Sequence, residues 1–117
     1  VTVNLNTSGT VTLFVDESGA PRRIHGHATE QDTFSANGKS LTGTPYTFNI
    51  DVFIDDSGNP IGLFNEGVLG RVRLPDGSQF IAAGRIDFAA QGFPNFSFTP
   101  DAGGVVNLDG LCAALAP

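Results

Sequence analysis

One pattern occurs twice and constrains the chain more than any other: LFVDESGAP over 13–21 and VFIDDSGNP over 52–60. Phe14, Asp16, Ser18, Gly19 and Pro21 recur in register as Phe53, Asp55, Ser57, Gly58 and Pro60. In each copy alternating large apolar residues run into Asp, two polar residues and Gly. That is how a strand enters a tight turn whose glycine takes a positive φ. The following Pro has no donor to give a ladder, so the returning strands are expected to start near Arg22 and Ile61. Two similar β-hairpins therefore organise the chain.

The other segments fit the same class. TVNL and TVTLFVD alternate around NTSG, which predicts a first hairpin tip at Asn6 to Gly9. Arg22 to Thr29 reads as a strand with Ile24, Gly26 and Ala28 on one side and Arg23, His25, His27 and Thr29 on the other. EQDTFSANGKSLTG is polar and carries a turn signal at Asn37 and Gly38, so a short exposed strand pair or loop is expected there. Tyr46 to Ile54 is the clearest strand, with Tyr46, Phe48, Ile50, Val52 and Ile54 forming a core face. IGLFN and VLGRVRL lead to the turn LPDGS, FIAAGRIDF follows as a strand, GFPNFSF adds three Phe, and PDAGG marks another turn. LDGLCAALA suits one or two helical turns.

About eight short strands with these turn spacings predict one all-β domain over 1–117, a small antiparallel β-barrel with a short C-terminal helical turn. A β-sandwich is the alternative. The composition agrees, with 10 Phe, 15 Gly and no Trp or Met. A net charge of -6 repels phosphate backbones, which argues against a nucleic-acid partner. No apolar run reaches the ~20 residues of a membrane-spanning helix. Without any Met, Val1 is not a translation start, and a removed secretory leader is the natural expectation, making the chain a secreted protein. The single Cys112 has no internal disulfide partner and is expected to be buried as a small hydrophobe.

HGH at His25 to His27, TGTPYTFNIDVFID, LGRVRLPDGSQFIAAGRIDF and LCAALA together resemble a family of small secreted actinobacterial proteins. Members of that family are exported proteins of unknown function, so the resemblance implies secretion and a single β-domain and carries over no catalytic residue. FNIDVFIDDSGNPIGLFNEG with LPDGSQFIAAG is also similar, at the level of strand and turn patterns, to allene-oxide-cyclase-like and dirigent-like barrels. That likeness implies eight antiparallel strands around an apolar ligand cavity.

His25 and His27 share a strand face, as imidazoles do in β-barrel metal sites. Glu30 falls only three residues beyond, on the opposite face, and no third His exists, so no metal is expected and the pair reads first as solvent-facing imidazoles on a polar strand face. Arg85 and Asp87 form another same-face pair. DSG at Asp56 to Gly58 has the letters of an aspartic-protease motif, and the hairpin turn explains it. No phosphate loop, CxxC pair or nucleophile elbow occurs, so no cofactor is implied. The functional expectation is a monomer or weak homo-oligomer that binds a small, largely apolar molecule in its interior. Tyr46, His25, His27, Arg85 and Asp87 would form the ligand-binding set. The alternatives are a cofactor-independent cyclase or isomerase acting on an apolar substrate, and an exported structural or interaction module without a small ligand.

Overall fold

The computed structural model describes residues 1–91 and 102–117. These form one antiparallel sheet of seven strands: β1 (Thr2–Val15), β2 (Pro21–Ala36), β3 (Lys39–Thr42), β4 (Tyr46–Ile54), β5 (Pro60–Arg73), β6 (Gln79–Asp87) and β7 (Ala102–Val106). Two helices join them, a four-residue turn α1 (Phe88–Gln91) and α2 (Leu108–Leu115). The strand order is β1-β2-β4-β5-β6-β7, with β3 pairing β2. This is the expected all-β antiparallel fold with a short C-terminal helix. Among the described residues β1 and β7 are not paired with each other, so the sheet is open.

The duplicated pattern makes two copies of one turn. Asp16 N donates to Ala20 O and Gly19 N to Asp16 O, and Asp55 N and Gly58 N repeat the pair with Asn59 O and Asp55 O. Gly19 and Gly58 take φ of 83° and 82°. The Asp also braces each turn, since Asp16 Oδ1 accepts from Ser18 N and Ala20 N, and Asp55 Oδ1 from Ser57 N and Asn59 N. Arg22 ties the two turns together by pairing with Asp16 and with Asp56. LPDGS uses the same two backbone bonds, from Leu74 N to Ser78 O and Gly77 N to Leu74 O. Asn37 and Gly38, both at positive φ, join β2 to β3 in a tight hairpin.

Three expectations about strands and turns are corrected. The predicted hairpin tip at Asn6 to Gly9 does not form, because β1 runs straight through it with Asn6 opposite Gln31 and Gly9 opposite Ala28. A Cβ at Gly9 would lie 2.3 Å from the backbone oxygen of His27, so this glycine permits close strand approach rather than a turn. The segment from Glu30 to Thr42 does form a strand pair turning at Asn37 and Gly38, but it is not simply exposed: its first arm is the second half of β2, with Glu30, Asp32 and Phe34 buried. Ala102, Gly103 and Gly104 of the expected PDAGG turn lie in β7, paired with Arg85, Gly84 and Ala83. The aromatic segment GFPNFSF lies outside the described residues.

The core sits on the inner face of β2, β4, β5 and β6. Val72, Phe80 and Ala82 are fully buried, and Phe34 meets Phe80 edge to face at 5.8 Å between ring centroids. A bulge between Val68 and Gly70 inserts Leu69, which is buried in this core. Helix α2 closes one end. Leu111 and Leu115, one helical turn apart, are buried, while the Asn107 side chain accepts from Gly110 N at the helix start and donates to Ser78 Oγ. Asn37 and Lys39 donate to the carbonyls of Leu115 and Ala116 at its other end. Cys112 follows Leu111 off the buried stripe and is exposed, which corrects the expectation of a buried thiol.

Candidate functional site

Alternation along β2 sends Glu30 and Asp32 to the inner face, and the β2–β4 register sets Glu30 opposite Tyr46. The Tyr46 hydroxyl lies 2.7 Å from Glu30 Oε1 and 2.7 Å from Asp32 Oδ2. One phenol carries one proton, so it donates to one carboxyl group; a full second bond requires the other to be protonated and to donate back. Thr7, brought across by β1, donates its hydroxyl to Glu30 Oε2. Asp32 Oδ1 is buried with no partner among the described residues. Burial, helped by the neighbouring charge of Glu30 and opposed by the Tyr46 hydrogen bond, pushes the Asp32 carboxyl up to about 6. Burial first, and the two carboxylates next, drive the Tyr46 phenol well above its ordinary value.

Glu30 also faces a cavity of about 380 Å³. Its walls are Val3 and Leu5 from β1, Phe48 from β4, Leu69 from the bulge, Ile86 from β6 and Phe88 from α1. Only Glu30 and Asn65 interrupt this apolar surface with side-chain polar groups. The β1 wall is the open one, with Leu5 61% exposed. No Lys, Arg or His side chain pairs with Glu30 or Asp32 among the described residues, and 92–101 contain none of these residue types. Glu30 thus presents a carboxyl group in an apolar wall without a counter-cation, an arrangement that favours an incoming hydrogen-bond donor.

Of the five residues expected at the site, Tyr46 alone lies within this inner group. His25 and His27 point to the outer face, where their Nδ1 atoms lie 3.0 Å from Asp51 Oδ1 and 2.8 Å from Asn49 Oδ1. Arg85 is also outside, paired with Glu66 at 3.1 Å and stacked over the Phe64 ring at 3.9 Å from its centroid. Asp87 Oδ1 accepts from Ala89 N and Ala90 N, capping α1. The sheet therefore separates these residues rather than converging them. Around Asp51 the outer face builds its own cluster, with Arg23 Nη2 at 2.6 Å and the guanidinium over Phe14 and Phe53. Burial acts to raise the Asp51 carboxyl, but the hydrogen bonds and charges of His25 and Arg23 outweigh it and the net direction is down. No group of three metal-ligating side chains assembles among the described residues. Nor is any helix there long and apolar enough to cross a membrane.

The signal for Glu30 and Asp32 was the uninterrupted period of two from Gly26 and Ala28 through Phe34 and Ala36. Two acidic residues in the middle of that series made it look like the end of a strand.

What the fold defines is an antiparallel β-protein with a carboxyl-lined apolar cavity. No family model matches the chain, and no curated protein or solved structure matches it. The functional reading accordingly rests on the geometry of this cavity.

Proposed function

We propose that the chain binds a small, largely apolar molecule in the cavity between β1, β2, β4, β5, β6 and α1, with Glu30 as its polar contact. The observation that carries this is an apolar wall interrupted only by the Glu30 carboxyl and the Asn65 amide, the usual make-up of a small-molecule site, at a volume that holds a molecule of modest size. A neutral fluorescent probe, N-phenyl-1-naphthylamine, should bind saturably to one site with a rise in emission. Leu5→Trp, at an exposed wall position that accommodates bulk, should weaken that binding about tenfold by narrowing the entrance. Absence of saturable binding, or binding indifferent to Leu5→Trp, would sink the proposal.

The hydrogen-bonded group Glu30, Tyr46 and Asp32 favours a second reading, a cofactor-independent isomerase or cyclase. Glu30 would move a proton at the ligand, held in place by the hydroxyls of Tyr46 and Thr7. For a ligand that is turned over, Glu30→Gln should abolish turnover and retain binding; unchanged turnover would remove this reading.

A further inference from the structure

We infer that the cavity selects apolar molecules headed by a hydrogen-bond donor, best of all a primary ammonium, and rejects carboxylates. The inference rests on the reading of the cavity as a ligand site and names the chemical class it takes. An ionised Glu30 accepts only. Its two oxygens receive Tyr46 and Thr7, and each has a further lone pair for a donor arriving from the cavity. The cations of the chain are committed elsewhere: Arg22 to Asp16 and Asp56, Arg23 to Asp51, Arg85 to Glu66, and Lys39 to the carbonyl of Ala116. Arg73 is exposed, and Arg71 pairs in register with Ile81 on the outer side of β5.

Among the described residues no cation pairs with the site, so the positive charge that would complete it comes with the ligand. An ammonium would make a charge-assisted hydrogen bond in an apolar wall, where such bonds are strongest. A carboxylate would meet Glu30 with no cation between them. An alcohol, a neutral donor, falls between the two.

The test is displacement of N-phenyl-1-naphthylamine from the whole chain at neutral pH and fixed ionic strength by 1-octylamine, 1-octanol and octanoate. Affinity should fall in that order, with at least about tenfold between amine and carboxylate. In Glu30→Gln the gap between amine and carboxylate should shrink to within about threefold, with 1-octanol changing less than either. General attraction of amines to a chain of net charge -6 nearly cancels in this comparison, because the variant keeps almost all of that charge. Octanoate competing as well as octylamine, or an amine advantage that survives Glu30→Gln, would overturn the inference. If the probe itself fails to bind saturably, the failure belongs to the cavity reading and takes this inference with it.

Discussion

Strands β2 and β4 carry an acidic cluster on each of their two faces, and the two behave in opposite ways. Outside, Asp51 is flanked by Arg23 and His25, partly hydrated, and held below the ordinary carboxylate range. Inside, Asp32 is 1% exposed, has a tyrosine and another acid for company, and is pushed up to about 6. Both pairs are built from residues directly opposite or two apart on the same ladder. The backbone is thus common to both, and the difference comes from water and from the presence or absence of a cation. On the outer face the arrangement satisfies its own charges; on the inner face it leaves an acceptor turned toward a cavity.

The strongest way to break that contrast is to remove the hydroxyl between the inner acids. Tyr46→Phe leaves Glu30 and Asp32 buried without their shared donor and should cost about 2–3 kcal/mol in chemical denaturation. A loss under about 0.5 kcal/mol would mean that the three groups are not coupled in solution.

Next comes pH. Because Asp32 is raised from 3.8 to about 6, the folded chain keeps a proton there that the unfolded chain has released, and stability falls as pH rises across that window. Asp32→Asn removes the dependence. The variant should gain on the parent by about 2 kcal/mol between pH 4 and 7, read from urea midpoints. Asp51 has the opposite sign: its contribution is present above 3.8 and lost as pH falls through its lowered value.

The smallest effect belongs to the outer face. Asp51→Asn should cost less than about 1 kcal/mol and less still in high salt, since the Arg23 and His25 pairs are partly solvated. High salt should leave the Tyr46→Phe penalty nearly unchanged.

Local chemistry was enough to read the hairpins, the inner face of β4 and helix α2, since each is decided within a few residues by turn type, alternation or i,i+4 spacing. Position Asn6 to Gly9 was not readable in that way. NTSG has turn composition, and pairing with Ala28 to Gln31, far along the chain, holds it extended. The site was hidden for a related reason. Glu30 and Asp32 occupy core positions of a strand whose outer face is also polar, so the apolar alternation that marks a buried face disappears where the function is proposed. His25 and His27 attracted attention as chemical side chains, yet strand parity places them on the far side of the sheet from Glu30. Tyr46 was legible as core, but its acidic partners were not.

The separation of the two faces is tested most directly by carboxyl carbon-13 NMR of Glu30, Asp32 and Asp51 in one sample, titrated with pH and then with 1-octanol. Asp32 should titrate near 6 and Asp51 below 3.8, and saturating 1-octanol should shift the Glu30 resonance while that of Asp51 stays in place. Asp32 titrating at or below 3.8, or 1-octanol moving Asp51 and not Glu30, would contradict the assignment of a cation-free, ligand-binding interior to this face of the sheet.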